Sequence, residues 1–477
     1  MPCVLMGLST SDVCDLRVRC LNDARVRSSG DIVLYWMQMN RRADDNAALD
    51  YALSRANALG LPCVVYEALR TDYPFASDRF HSFVLESARD VAAGLEARGV
   101  RHVFFLPRTA EEGRGVLAGL AARSALVVTD DFPSFIAPEQ NAALARRATC
   151  PVLAVDDSAV VPLALFPKDE TGARTLRPKI ARVLDAFLRP LDEPRPAVSA
   201  PDRLDLPFDP VRMDGARVPD LVAACAIDHS VAPVDDLPGG AVAANARATA
   251  FVTRRLDSYA LDRHDPSREA TSGLSPYLHF GMISARRVAL MARDAVEARG
   301  EEGRAAFLEQ LVVRRTLAFT FARNNPRHRE YESVPAWARK TLAEHAGDRR
   351  PEIVTRDDLV EARSPDPLWN AAQVELRTRG VIQGYARMLW GKLPIAWMRD
   401  PAEVHAALVH MNDRFALDGR DPGGYASIGW CFGLHDRPWP SRPVFGAVRA
   451  MSSRSARGKL DFEGYVEGWN ARRRDVL

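Results

Sequence analysis

The sequence predicts a two-part molecule: an α/β N-terminal domain with a doubly wound parallel sheet, then an all-α C-terminal domain. Three observations predict it. Between 31 and 155, five short apolar runs alternate with segments of helical period; parallel strands need such crossover helices and are buried on both faces. From 167 to 238 the chain turns rich in Pro, Asp and Arg, the composition of a connector laid over a surface. Beyond 241 the apolar spacing is helical and strand-like alternation nearly vanishes.

Residues 1–30 read as an N-terminal extension. Its first eight residues are apolar, but it lacks a basic n-region and reaches Asp12 and Asp15 early, unlike a secretory signal. The domain at 31–166 opens on a strand at 32–36 (Ile32, Val33, Leu34, Tyr35, Trp36) and a helix at 46–58 that Gly60 and Pro62 stop. Strand 63–66, helix 77–97 closed by Gly99, strand 102–106, helix 111–122 and strands 125–128 and 152–155 follow. The connector, 167–240, has helical spacing only at 180–188 and 218–226. The helical domain, 241–477, carries helices at 242–259, 284–298, 303–324, 335–344, 356–362, 367–378, 382–397 and 401–413.

Composition narrows the function classes. Lys and Arg total 64 against 62 Asp and Glu, a net charge of +2, so a nucleic-acid surface has to be a local patch. The seven cysteines (Cys3, Cys14, Cys20, Cys63, Cys150, Cys225, Cys431) are odd in number and lack C-x-x-C spacing, which suggests neither a disulfide framework nor a zinc site. No segment approaches the ~18 uncharged apolar residues of a membrane span. The expectation is a cytoplasmic protein in a reducing compartment.

Four stretches of the helical half carry chemistry. Thr271, Ser272, Gly273, Leu274 and Ser275 lead through Tyr277, Leu278 and His279 to Gly281, either a plain capped loop or a phosphate cradle. Trp369, Trp390 and Trp397 serve either as core or as an electron relay; the last two are seven apart and would share a face of a straight helix with ~10.5 Å of rise. Asn412, Asp413, Arg414, Asp418, Arg420 and Asp421 crowd a Gly-rich loop, where such charges either pair in solvent or meet a ligand. Trp430, His435, Arg437, Trp439 and Arg442 interleave aromatics with arginine, which suits stacking on a flat ring as well as simple packing.

Seven motifs in register resemble the class II cyclobutane pyrimidine dimer photolyases, from about Asp31 to about Tyr465. They are Leu34-Tyr35-Trp36-Met37-Gln38; Asp45-Asn46; Arg177-Pro178-Lys179-Ile180; the Leu274 to Gly281 stretch; Asp366-Pro367-Leu368-Trp369-Asn370-Ala371-Ala372-Gln373; Leu417-Asp418-Gly419-Arg420-Asp421-Pro422; and Arg442-Pro443-Val444-Phe445-Gly446. The resemblance implies FAD bound in a U shape in the helical domain, with an antenna chromophore of deazaflavin or folate type as a possible second cofactor in the N-terminal domain. It implies a monomer acting on damaged DNA that contains a pyrimidine dimer, with no membrane partner. Light excites the reduced flavin, which donates an electron to a flipped-out dimer and recovers it after the ring splits; extrusion is needed because a stacked base cannot reach a buried cofactor.

Carried over by motif, Tyr259, Ser272, Leu274, Ser275 and Leu278 match the FAD-phosphate region, Asn412 the asparagine beside flavin N5, and Arg387 with Asp418 the ion pair over the isoalloxazine, with Asp421 in the same loop. Met388 and Trp430 match residues packed against the flipped dimer, and Trp369, Trp390 and Trp397 match the electron relay. The departures lie near the substrate. The acid that contacts the dimer appears as Gln310, which can hydrogen-bond but carries no charge. A family Lys-Met-His-Gly is here Val381-Ile382-Gln383-Gly384, and Gly391 and Pro394 interrupt the relay helix, where Pro394 should kink it. After Gly446 the basic run thins, leaving Arg449, Arg454, Arg457 and Lys459 as phosphate contacts. The alternative is a divergent flavoenzyme acting on a small molecule, with or without light. A cryptochrome-like sensor is less favoured, because only about a dozen residues follow the shared region.

Overall fold

The computed structural model describes residues 16–201, 203–295, 300–458 and 460–476; Cys3, Cys14, Lys459 and the end of the helix expected at 284–298 lie outside them. Six strands form one sheet: β1 (Val18–Cys20), β2 (Ile32–Met37), β3 (Cys63–Ala68), β4 (Arg101–Phe105), β5 (Ser124–Asp130) and β6 (Val152–Val155). Their order is β1-β6-β5-β2-β3-β4. The five expected strands pair in parallel and β2, at the centre, buries all six side chains, as an apolar run covered by helices on both faces must. The sixth strand was not foreseen: β1 lies within the expected extension and pairs antiparallel with β6, Arg19 opposite Ala154. Three residues with one apolar side chain at each end give no usable alternation.

Local signals explain the helices. Asn46 caps Ala47–Leu59 by accepting from Ala48 and Leu49 N–H, and Gly60 ends it in the left-handed region at φ 64°. At the carboxyl end of β5, Asp130 accepts the backbone N–H groups of Gln38, Met39 and Asn40 at 2.8, 2.7 and 3.0 Å, which fixes the turn leaving β2.

Beyond 241 every described regular element is helical. Two expected helices are interrupted. The one at 303–324 is three pieces, Glu301–Leu308, a π-helical Glu309–Arg314 and Arg315–Asn324. The one at 382–397 stops at Lys392, and Pro394 lies in a 3₁₀ turn, Leu393–Ala396, so the proline ends the helix rather than kinking it.

The connector is more than a surface strap. Its helix Ala173–Ala181 and the turns after it bury Leu176, Ile180, Phe187, Met213, Val218 and Val222 in a core that also holds Phe80 and Phe83 of the sheet domain and Phe251 and Phe307 of the helical half. Charges seal the same seam. Buried Arg286 reaches Asp45 at 3.1 Å and Asp157 at 3.2 Å, and Arg42 pairs with Asp157. Gly281 (φ 64°) is required here, since a Cβ would fall 2.1 Å from the Met39 carbonyl. Arg79, at the start of the helix Asp78–Ala97, donates across the seam to the carbonyls of Leu376 (3.3 Å), Arg377 (2.5 Å) and Phe415 (2.7 Å), at the ends of the helices Pro367–Arg379 and Pro401–Phe415. Among the described residues no helix is long and apolar enough to cross a membrane.

Candidate active site

A cavity of about 610 Å³ opens among the helices of the second half. Its wall takes Ser275 from the start of the short helix Ser275–His279, Gln310, Arg314 and Arg315 from the π-helical turn and its successor, and Arg387, Met388 and Trp390 from Gly384–Lys392. Asn412 comes from the last turn of Pro401–Phe415, Asp418 and Asp421 from the loop that follows, and Gly423, Gly424 and Trp430 from Pro422–Cys431. These stretches are far apart in sequence, and the volume lies in the range of cofactor-sized sites.

Each predicted residue has a definite place. Ser275, Gln310, Arg387, Met388, Trp390, Asn412, Asp418, Asp421, Trp430 and Arg449 meet at this cavity. Tyr259 and Leu274 do not line it: both are buried in the shared core, Tyr259 edge-on to Phe251 and Phe307 at 5.6 and 5.5 Å. Ser272 Oγ instead accepts from Leu274 N–H at 3.4 Å, and Leu278 lines a crevice behind the wall. Arg454 is exposed on the helix Ser453–Arg457, away from the wall.

Four arginines (Arg314, Arg315, Arg387, Arg449) face two aspartates (Asp418, Asp421) in the wall, a cationic excess. Arg387 donates to Asp418 at 2.8 Å; burial works against its cation, but Asp418 outweighs that and holds its pKa above the ordinary value. Asp421 is also buried, yet the hydrogen bond from His279 Nδ1 at 3.2 Å and the nearby Arg315 leave its pKa below the carboxylate norm. Arg315 was missed in the sequence. It donates to the carbonyls of Ser158 (2.7 Å) and Leu278 (3.1 Å) and lies 4.4 Å from the Phe319 ring, so its charge is not spent on a carboxylate hydrogen bond. The sequence held no signal for it: the spacing reads as one helix over 303–324, and the π-helical turn, a feature that gathers at functional sites, shows only in the structure.

Bidentate Arg177 holds Glu309 at 2.9 and 2.7 Å, tying the connector to the turn that carries Gln310. Trp430 stands between cations. Lys392 Nζ lies 5.0 Å from its ring centroid and Arg449 5.9 Å, with Arg449 also 4.9 Å from Trp439. Lys392 is fully buried, donates to the Cys431 carbonyl at 2.6 Å and has no carboxylate in salt-bridge range among the described residues; burial pushes its pKa down to about 8.

The three tryptophans are buried and linked, though not as the spacing implied. With the helix ended at Lys392, Trp390 and Trp397 no longer share a face. Trp390 lines the cavity, Trp369 Nε1 donates to the Trp390 carbonyl at 2.8 Å, and the Trp369 and Trp397 rings meet edge-on at 5.8 Å.

A second cavity, about 160 Å³, lies at the carboxyl ends of β2, β3 and β4, where ligands of doubly wound sheets bind. Aromatic rings, among them Trp36, Tyr66, Tyr73, Phe105 and Phe132, line it beside Arg41 and Arg420.

Fold and site together define a two-domain protein of photolyase and cryptochrome architecture, in which a parallel sheet domain abuts a helical domain with a central, cation-rich cavity. The sequence matches the DNA photolyase family over residues 33–198. It is 36% identical over 452 residues to a deoxyribodipyrimidine photo-lyase of Methanothermobacter thermautotrophicus, covering 94% of this chain and 97% of that one. To the protein of the same name from Oryza sativa subsp. japonica it is 37% identical over 468 residues, covering 94% of this chain and 89% of that one. The crystal structure of a bacterial class III photolyase from Agrobacterium tumefaciens shares the fold, with a TM-score of 0.67, 17% identity and coverage of 94% of this chain and 89% of that one. The chain is an enzyme of the DNA photolyase family.

Proposed function

We propose that the enzyme repairs cyclobutane pyrimidine dimers in DNA, using light and FAD, in the manner of the class II photolyases whose motifs it resembles. One observation carries the reading: a single cavity brings Ser275, Arg387, Asn412, Asp418 and Asp421 of the expected flavin set together with Gln310, Met388 and Trp430 of the expected dimer set, from distant parts of the chain. The donor set fits the cofactor. The excess of arginine suits a dinucleotide's diphosphate, Gly423 and Gly424 leave bare backbone in the wall, and the Asn412 amide offers a hydrogen-bonding edge. Ser275, Arg387, Asn412, Asp418 and Asp421 would hold FAD. When bound and reduced, FAD supplies a photo-excited electron to the dimer and takes it back once the ring has opened.

The chain's own residues do the rest. Arg387, fixed by Asp418, places a cation that favours an anionic ring beside it. Met388 and Trp430 give the extruded bases apolar surfaces, and Trp430 offers a stacking face. Gln310 presents an amide that can donate to a thymine carbonyl. Arg449 at the rim and exposed Arg454 supply phosphate contacts. Trp390, Trp369 and Trp397 provide a path of touching residues from the cavity wall outward. The aromatic cavity at the sheet's carboxyl edge supports an antenna chromophore of deazaflavin or folate type in the N-terminal domain.

Flavin-loaded protein mixed with dimer-containing oligonucleotides should restore them under blue light and leave them unrepaired in darkness. Equal restoration in both, or none in either, refutes the reading. Flavin binding without dimer-selective DNA affinity would point instead to the small-molecule flavoenzyme.

A further inference from the structure

We propose that Asp413 is a positioning residue that turns the Asn412 amide so that its nitrogen faces the protein and its carbonyl oxygen faces the cavity, biasing the site toward a reduced flavin. The inference rests on the FAD reading above and deepens it.

Asp413 is 5% exposed and accepts three hydrogen bonds. Oδ1 takes Asn412 Nδ2 at 3.2 Å and the backbone N–H of Arg420 at 3.1 Å, and Oδ2 takes the Tyr425 hydroxyl at 2.8 Å. Burial raises the Asp413 pKa, with the Tyr425 hydroxyl, Arg420 and Asn412 working against it. Oδ1 accepts the backbone N–H of Arg420, which can only donate, so the end of the Asn412 amide that meets the same oxygen is the NH₂. The partner therefore fixes which end is which, independently of how an amide's oxygen and nitrogen were placed.

Asn412 is 3% exposed and lines the cavity. Among the described residues no donor reaches its Oδ1. What the amide offers a ligand is thus a bare acceptor. Gly424 leaves room for this arrangement, since a Cβ there would stand 3.1 Å from Asn412 Nδ2. A fixed carbonyl attracts an N–H and repels a lone pair. An oxidised flavin presents lone pairs at ring nitrogens that carry hydrogen after reduction, so an acceptor held in this orientation binds the reduced ring more tightly and raises the flavin's potential.

The expectation is testable by equilibrating the flavin-loaded protein with a reference redox dye. Asp413→Asn frees the amide to flip, and the ratio of reduced to oxidised flavin at fixed potential should fall at least tenfold, about 30 mV for a two-electron couple. Asn412→Ala should lower it as well. Because Asp413 acts through Asn412, the double variant should be no lower than Asn412→Ala alone. A ratio in Asp413→Asn within threefold of the parent, or effects that simply add, overturns the proposal.

Should Asp413→Asn fail to hold flavin, redox-difference infrared spectroscopy on the parent protein decides. With asparagine labelled at the amide carbonyl, a band absent in Asn412→Ala should shift to lower frequency on reduction; no such shift overturns the proposal. A parent protein that binds no flavin refutes the cofactor reading itself, a distinct outcome.

Discussion

Lys392→Met tests the electrostatics behind Trp430. The ammonium is fully buried, has one hydrogen bond and lacks a carboxylate partner among the described residues. Burial lowers its pKa from an ordinary 10.5 to about 8. That difference corresponds to about 3 kcal/mol of native-state cost. The sign follows from proton counting. Below pH 8 the lysine is charged in both folded and unfolded chains and the full cost is present. As pH rises toward 10.5 the folded chain releases its proton first and the cost is relieved. Methionine removes the charge but also the donor to the Cys431 carbonyl, an offsetting loss of about 1–3 kcal/mol. The variant should therefore match or modestly exceed the parent near neutral pH. Relative to the parent it should lose about 3 kcal/mol on going to about pH 10.5. Urea unfolding of both flavin-loaded proteins across this range measures the difference. A gap that stays constant with pH would show that Lys392 is not a buried, depressed cation, and the account of Trp430 would fall with it.

Arg286→Leu takes the arginine from buried Asp45 and leaves Asp157 to Arg42, and should cost about 3–5 kcal/mol of stability, read as a lowered thermal midpoint. Gln310→Glu removes the amide donor to a thymine carbonyl, a loss of about 1 kcal/mol, so dimer-oligonucleotide affinity should fall about fivefold in a binding isotherm. Arg449→Gln should weaken DNA binding at all sequences and lower the slope of log affinity against log salt by about 1. Trp369→Phe keeps the core filled but removes the ring that touches both Trp390 and Trp397; flavin binding should survive while reduction of the flavin by light is lost, as followed by absorbance.

Much of the sheet was legible because its strands are buried on both faces: the expected 63–66 and 152–155 correspond to Cys63–Ala68 and Val152–Val155. Punctuation marked a helix end where it was chemical, as with Gly60, while the caps Asn46 and Asp366, before Ala47–Leu59 and Pro367–Arg379, emerge from the structure. The sequence was silent where structure depends on remote partners. β1 exists because β6 needed an edge, and the π-helical turn sits where Arg177 grips Glu309. Period-based reading also joined Trp390 to Trp397 on one helix, although the chain turns after Lys392 and brings Trp397 to Trp369 instead. For the site, motif order marked the residues that converge on the cavity. It could not reveal that Arg315 keeps its charge for the cavity or that Asp413 clamps its neighbour, because both facts are about which atom meets which.

Arg79 has a bearing on how such a molecule can be taken apart. Its guanidinium closes the carboxyl ends of two helices, one bearing Trp369 and the other Asn412, from across the seam. Excising the amino-terminal half, or grafting on a foreign one, would uncap both helices at once, so chimeras that trade the sheet domain have to carry an equivalent arginine or redesign both helix ends.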